Sequence, residues 1–337
     1  MDQPRRISVL GDGQMGLVMA ALLANQPGAP RVTLWAHDPL AVSSLAQTRR
    51  GPRLDAVVLP DRVFVTGDDA ECMRGADLII SAIPTQFMRP TWERLKAHTP
   101  PGVGVVSVAK GFENETLHRP TEIVASVVGS DRPVATLSGP TIAAELARCL
   151  PATIVAASTD QPFAEMVQRA TTTSWLRVYT STDPLGVEVA GATKNVIAIA
   201  AGILDGLQAG YNAKSALLAR GLAEITRLGV AMGARTETFF GLAGVGDLAT
   251  TCFSPEGRNR SLGEHLGRGK SLAQALEFTT SVVEGVATTR SVVHLAKRHG
   301  VEMPITEAVH AVLYEKLDPI DAIARLMSRE VKAERVG

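Results

Sequence analysis

The sequence predicts an α/β fold, a doubly wound and mostly parallel sheet, followed by an all-helical C-terminal domain. Three observations carry this. Short β-type runs alternate with helical segments through residues 1–184, a glycine-rich turn follows the first run without a gap, and everything past a long apolar helix opening near residue 185 reads as helical. At 337 residues the chain exceeds one core, so two domains are expected, 1–184 and 185–337.

The first strand is expected over residues 6–10, and Gly11-Asp12-Gly13-Gln14-Met15-Gly16 follows directly. A small-residue helix over 17–24 and a second strand over 31–35 complete the context that gives G-x-G-x-x-G its meaning. The first glycine permits the tight turn, the second lets the backbone approach a pyrophosphate, and the third allows close helix–strand packing. The helix N-terminus then offers N–H groups to the anion. Asp12 puts a negative charge into that loop. After the second strand stand His37 and Asp38. A carboxylate here bonds a ribose hydroxyl and favours NAD, whereas a cation accepts a 2′-phosphate, so the pair leaves the choice open. His37 can equally be the surface start of the next helix.

Further strands are expected over 77–82, 104–109, 133–137, 152–157 and 176–179. In such sheets ligands sit at the carboxyl ends of strands. Lys110-Gly111 and Ser138-Gly139-Pro140-Thr141 fall at strand ends, though the sequence does not say at which edge of the sheet. A lone loop lysine is more often simply solvated.

The helix expected over 186–207 is apolar or small almost throughout, yet it carries Lys194 and Asn195 in its middle. A buried ammonium is costly unless paired or shifted in pKa, so this lysine needs a reason. Gly191, Asn195, Ala198 and Gly202 share one narrow face, along which another backbone or a ligand can come close. As the seam between the two expected domains, this helix lies where small-molecule sites are common. A second helix is expected over 213–233, broken by Gly229, followed by an irregular stretch from Gly241 to Arg260. There Asp247 and the run Gly257-Arg258-Asn259-Arg260 look built to bind. A guanidinium and an amide beside a free Gly257 N–H suit a phosphate dianion. The bland alternative is an exposed polar linker. The segment from Val282 through Glu284 and the helices after it look like scaffold.

Lys+Arg and Asp+Glu both number 34, so there is no broad basic field for nucleic acid or a membrane surface, and an anionic ligand must be held by a few placed cations. Cys72, Cys149 and Cys252 are odd in number and lack CxxC spacing, which reads as reduced thiols in a cytoplasmic protein. No signal-peptide pattern opens the chain. No apolar stretch is expected to span a bilayer; the central helix comes nearest, interrupted by Glu188, Lys194, Asn195 and Asp205. The seven histidines show no metal-ligand spacing, so no metal is expected.

Taken together, Lys110-Gly111, Ser138 through Thr141, Gly191 through Gly202, Gly241 through Asp247, and Arg258-Asn259-Arg260 strongly resemble the NAD(P)-dependent glycerol-3-phosphate dehydrogenases of the bacterial type. The resemblance covers nearly the whole chain and is most specific from Glu188 to Gly263. It implies a Rossmann-type domain followed by a helical substrate domain of the 6-phosphogluconate-dehydrogenase-like kind. It also implies reversible reduction of dihydroxyacetone phosphate to sn-glycerol 3-phosphate with NADPH or NADH, supplying phospholipid synthesis. By the same resemblance Lys194 is the catalytic acid/base. Lys110, Gly139, Thr141, Asp247, Gly257, Arg258 and Asn259 surround the substrate. Gln14, Met15, His37, Lys110, Ala143, Arg258, Val282 and Glu284 contact the cofactor, with Gly11, Gly13 and Gly16 forming its loop. The chain departs from the family where an alanine and an aromatic are usual in that loop, having Asp12 and Met15. It departs again where serine usually precedes the Arg-Asn pair, having Gly257 and so one hydroxyl fewer.

Hydride transfer to a ketone makes its oxygen negative, so the site needs a proton donor that can take the proton back in reverse. Lys194 suits this role, with Asn195 and Asp247 to orient it, Lys110 to polarise the carbonyl and Arg258 to anchor the phosphate. A β-hydroxyacid or ketopantoate-type dehydrogenase is the rival enzyme; those tend to place the asparagine four residues after the lysine, where this chain has Ala198. A non-catalytic dinucleotide-sensing protein is the rival from another class. A homodimer is expected as the commonest assembly.

Overall fold

The structure, a computed structural model, describes residues 3–52, 54–279, 281–330 and 333, and of Asp55 the backbone alone. It divides into two compact units, residues 1–110 with 118–184, and residues 111–117 with 185–337.

The first unit contains β1 (Arg6–Leu10), β2 (Arg31–Trp35), β3 (Arg50–Gly51), β4 (Leu54–Val58), β5 (Val63–Thr66), β6 (Leu78–Ser81), β7 (Gly104–Ser107), β8 (Val134–Ser138), β9 (Ala152–Ala157) and β10 (Leu176–Ser181). Eight of them form one sheet in the order β10-β9-β8-β7-β6-β1-β2-β5, while β3 and β4 make a separate antiparallel pair. The strands from β5 across to β8 are parallel; β9 runs antiparallel to β8, and β10 parallel to β9. The helices are α1 (Gln14–Ala24), α2 (Pro39–Thr48), α3 (Asp69–Met73), α4 (Thr85–Leu95), α5 (Pro120–Val128), α6 (Ala143–Ala147) and α7 (Gln161–Thr171). The central strands bury both faces, because alternate side chains feed different cores. Val9, Leu78, Ile80 and Val106 pack with Leu17, Leu146 and Phe163, whereas Leu10, Ile79 and Val105 pack with Met73, Trp92 and Ile123. Strand order reverses at β1, between β2 and β6, the topological switch point at which ligands bind in such sheets. The sequence reading missed β5 and the β3–β4 pair, which are short and interrupt the helix-strand alternation.

Among its described residues the second unit is all helical: α8 (Pro184–Gly206), α9 (Gly210–Ala231), α10 (Thr236–Phe239), α11 (Asp247–Phe253), α12 (Arg258–Gly267), α13 (Leu272–Leu276), α14 (Glu284–His299), α15 (Pro304–Tyr314) and α16 (Pro319–Met327). The segment 111–117 joins it: Phe112 is fully buried in the helical core and Asn114 Oδ1 accepts from Ser291 Oγ at 2.6 Å. Helix α8 runs through the middle, buried almost continuously from Gly186 to Leu204. By length and composition it is apolar enough to cross a membrane, with a mean hydropathy of 1.5, but 89% of the apolar window lies inside the protein. It is a core helix.

Two expectations need correction. Helix α9 does not break at Gly229; a Cβ there would lie 2.0 Å from the Phe239 ring, so this glycine makes room for an aromatic. The stretch from 241 to 260 is mostly helical, a π-helical turn over Leu242–Gly246 leading into α11 and then α12. Its glycines serve packing: a Cβ on Gly244 would meet the Phe239 carbonyl oxygen at 2.0 Å.

Candidate functional site

In the first unit the candidate residues gather at the carboxyl edge of the parallel strands. The glycine turn follows β1, Lys110 lies just past β7, and Gly139 to Thr141 follow β8, all three strands running the same way. The three loop glycines differ in what surrounds them. Gly11 has φ +106° and presses on the Ala82 carbonyl, where a Cβ would sit 2.9 Å from the oxygen. A Cβ on Gly16 would fall 1.8 Å from the Gly11 oxygen, so helix and turn touch backbone to backbone. On Gly13 a Cβ would meet nothing within 4 Å: the space is open on the side that a ligand must approach. Gly13 also begins α1 without a side-chain cap, which leaves the helix opening to an outside anion. This is a cradle that fits a dinucleotide pyrophosphate. Gln14 is the first residue of α1, and Met15 packs half-buried against the first core, as does Ala143 at the start of α6.

Lys110 is no loose surface lysine. Its ammonium donates to the Gly139 carbonyl at 2.9 Å and lies 3.3 Å from Thr141 Oγ1, so Lys110, Gly139 and Thr141 come together. Gly139 is required where it stands, with φ +148° and the Ile154 Cα 3.0 Å from a would-be Cβ. His37 is exposed past the end of β2, its Nδ1 3.0 Å from Arg94 Nη1. The helix after it is capped by Asp38, whose Oδ1 accepts the Leu40 N–H at 2.9 Å.

In the second unit Lys194 and Asp247 form a buried ion pair, Nζ to Oδ1 at 2.8 Å, with side chains 7% and 1% exposed. Thr251 completes it: the lysine ammonium donates to Thr251 Oγ1, and that hydroxyl lies 2.7 Å from the backbone oxygen of Asp247. Asp247 and Thr251 stand one turn apart on α11, so a single short helix presents both groups. The sequence reading named Asp247 and missed Thr251; the four-residue spacing was the available signal. Asn195 is buried beside Lys194 on α8, 4% exposed. Cys252 lies close by, and burial, countered by Lys194 and Lys214, pushes its thiol up to about 12.

Arg258 and Asn259 open α12, and the segment leading into α14 orients both. Arg258 Nη1 donates to the Val282 carbonyl at 2.9 Å, and Asn259 Oδ1 accepts the Gly285 N–H at 2.9 Å. Val282 and Glu284, scaffold by local pattern and cofactor contacts by the family resemblance, lie in the segment that holds these two side chains. The Gly257 N–H, expected to be free, donates to the Ser254 carbonyl at 3.3 Å as the turn before α12 closes. The small-residue face of α8 meets α12 directly. A Cβ on Gly202 would sit 1.9 Å from the Arg260 oxygen, and one on Gly263 would sit 2.0 Å from the Ile199 oxygen. An ion pair pins this seam, Arg260 Nε to Asp205 Oδ2 at 2.7 Å, and Lys214 donates to the same carboxylate at 2.8 Å.

Comparison with known proteins places both units. The family model described as the NAD-dependent glycerol-3-phosphate dehydrogenase N-terminus matches residues 6–164, and that for the C-terminus matches 183–324. The glycerol-3-phosphate dehydrogenase [NAD(P)+] 1 of Salinibacter ruber is 46% identical over 97% of this chain and 96% of its own length. The corresponding protein of Streptomyces griseus is 43% identical over 99% and 100%. Among solved structures, the glycerol-3-phosphate dehydrogenase of Coxiella burnetii superposes with a TM-score of 0.93 at 33% identity, covering 96% of this chain and 99% of that one.

Proposed function

The chain belongs to the NAD-dependent glycerol-3-phosphate dehydrogenase family, an NAD(P)-dependent oxidoreductase interconverting dihydroxyacetone phosphate and sn-glycerol 3-phosphate, and we propose how its residues divide that work. Lys194 is the acid/base. The observation that carries this is its buried pairing with Asp247 and Thr251, in a helix otherwise built of apolar and small side chains. As the ketone carbon is reduced, the oxygen gains an electron pair and takes a proton from Lys194 Nζ; in the reverse direction the neutral amine takes the alcohol proton back. Asp247 balances the charge that the amine holds before it donates, and Thr251 fixes the direction of the Nζ–H bonds. Asn195, buried beside Lys194 on α8, helps Asp247 orient the lysine.

Arg258 and Asn259 take the substrate phosphate, the first by a charge-assisted pair. Gly257 contributes backbone shape alone, where the family's usual serine adds a hydroxyl. In the first unit Lys110, held by Gly139 and Thr141, polarises the substrate carbonyl. Gly11, Gly13, Gln14, Met15 and Gly16 receive the pyrophosphate, and His37, Ala143, Val282 and Glu284 are further contacts of the dinucleotide. When bound, the reduced nicotinamide supplies the hydride.

The ketopantoate-type alternative loses ground at Ala198, a methyl-bearing, fully buried position with no amide to offer. We further propose a cytoplasmic enzyme, on the strength of three free cysteines, that supplies glycerol phosphate to phospholipid synthesis. A twofold homodimer is the assembly proposed, as the commonest one for soluble enzymes; light scattering tests it. Following nicotinamide absorbance with NADPH and NADH, against dihydroxyacetone phosphate and a panel of 2-keto and 3-keto acids, tests the rest. Turnover of the phosphorylated ketone alone is expected; turnover of a keto acid in its place, or none at all, overturns the reading.

A further inference from the structure

Helix α8 carries a second charged side chain on the face of Lys194. Asp205 stands about three turns further on, at nearly the same angle around the helix axis and close to the C-terminal end. A carboxylate there is disfavoured by the helix dipole and by partial burial, so it needs cations. Two neighbouring helices supply them. Lys214 on α9 donates to Oδ1 and to Oδ2, both at 2.8 Å, and Arg260 on α12 brings its Nε to 2.7 Å from Oδ2. The Arg260 N–H is not aligned with that contact, so charge rather than a directed hydrogen bond holds it. The side chains of Lys214, Arg260 and Asp205 are 8%, 15% and 22% exposed, and salt and water screen them less than a surface pair.

This cluster reaches the helices that carry the substrate contacts. Lys214 Nζ lies 4.9 Å from the ring centroid of Phe253, the last residue of α11, which presents Asp247 and Thr251 to Lys194. Cys252 is within range of both ion pairs, and the charges of Lys194, Lys214, Asp205 and Asp247 all act on its thiol. Arg260 follows Asn259 directly in the first turn of α12, and its Nη1 reaches Glu264 Oε2 at 3.3 Å. The α8–α12 seam beside it is made of glycines. A Cβ on Gly206 would lie 2.4 Å from the Glu264 oxygen, and one on Gly267 would lie 2.4 Å from the Ile203 oxygen, as Gly202 and Gly263 also touch backbone. Such a seam is close but smooth, with no side-chain ridge to fix how far one helix slides along the other. The pairing of Asp205 with Arg260 supplies the missing register.

We propose that Asp205 is a positioning residue that selects the phosphorylated substrate: by holding Arg260 it fixes where Arg258 and Asn259 stand relative to Lys194. A phosphorylated three-carbon ketone has a set length, so its carbonyl oxygen and its phosphate are met together at one spacing of proton donor and anchor. Lys214 balances the charge that keeps Asp205 ionised. The inference rests on Arg258 and Asn259 being the phosphate anchor.

Steady-state kinetics of the full chain with dihydroxyacetone phosphate and with dihydroxyacetone, the same ketone without its phosphate, test this. Asp205→Asn keeps the shape and removes the charge. It should lower the ratio of the two kcat/KM values about tenfold, through a higher KM for the phosphorylated ketone, and leave dihydroxyacetone within about twofold of the wild type. Arg260→Met cuts the same tie from α12 while Asp205 stays paired with Lys214. It should act likewise, and it decides the matter where an unpaired buried Lys214 keeps Asp205→Asn from folding. Lys214→Met leaves the pair with Arg260 and should hold the ratio within about twofold. A folded Asp205→Asn or Arg260→Met protein with the wild-type ratio overturns the inference. So does an equal loss for both ketones, which marks a merely structural carboxylate, and so does a Lys214→Met protein that loses the ratio as far. An Arg258→Ala protein that keeps the ratio removes the phosphate anchor itself, and this inference with it.

Discussion

Replacing Gly202 with alanine tests whether the α8–α12 seam sets substrate affinity. The added Cβ would lie 1.9 Å from the Arg260 oxygen, 2.8 Å from its carbonyl carbon and 2.8 Å from the Glu264 nitrogen. All three are backbone atoms, so no side chain can rotate away, and α12 must retreat by roughly 1 Å or more in a close-packed interior. Overpacking of this kind costs about 1–3 kcal/mol, which at about 2–4 °C per kcal/mol for a large domain is a readable drop in melting temperature. The retreat carries Arg258 and Asn259 with it. Their bonds to Val282 and Gly285, both 2.9 Å, stretch past hydrogen-bonding range. Losing the phosphate anchor removes about 1.5–3 kcal/mol of charged hydrogen bonding, so KM for dihydroxyacetone phosphate should rise about 10- to 100-fold. Lys194 lies two turns earlier on α8, and kcat should fall far less. Steady-state kinetics beside a thermal melt decide it. A Gly202→Ala protein with wild-type melting temperature and KM refutes the reasoning, as does one that loses kcat and keeps KM.

Arg258→Ala should raise KM for the phosphorylated ketone by a similar factor with kcat nearly kept; an unchanged KM would remove it as the anchor. Glu224, 2% exposed, holds the start of α15 by accepting from the Ile305 and Thr306 N–H groups at 2.7 and 3.2 Å, and burial pushes its carboxyl up to about 7. A folded-state pKa above the unfolded one means that this group's contribution is fully present at pH 4.5 and below and is lost as pH rises through about 7. Urea melts should therefore show a pH-dependent loss, on the order of 3 kcal/mol from this group, that Glu224→Gln flattens; parallel pH profiles would contradict it. Cys72 and Cys252 are buried with thiols pushed up to about 12, and Cys149 is exposed, so a native thiol titration should modify Cys149 alone until denaturant is added.

The fold was legible where local pattern and tertiary role coincide. The strand–turn–helix at Arg6 to Ala24 reads directly because one segment of chain makes the whole motif, and α8 announced itself by a lysine among apolar residues. Where glycines serve packing the sequence misleads. Gly229 and Gly244 look like breaks, and only the ring and backbone of Phe239 beside them explain their lack of a side chain. Long-range partners were equally out of reach. Nothing local tells that the Val282 carbonyl aims Arg258, that the Ser254 carbonyl occupies the Gly257 N–H, or that Arg94, far along the chain, reaches back to His37. Thr251 is the intermediate case, readable from helical spacing once α11 is known to be a helix.

The central claim is that the Lys194 ammonium is the proton donor. Lys194→Met retains length and apolar packing and removes the exchangeable proton. In protein shown folded by circular dichroism, kcat for dihydroxyacetone phosphate reduction should fall by roughly 10²–10⁴, the range that general acid catalysis supplies, with nucleotide binding by the first unit intact. A folded Lys194→Met enzyme turning over within a few fold of the wild type contradicts the account.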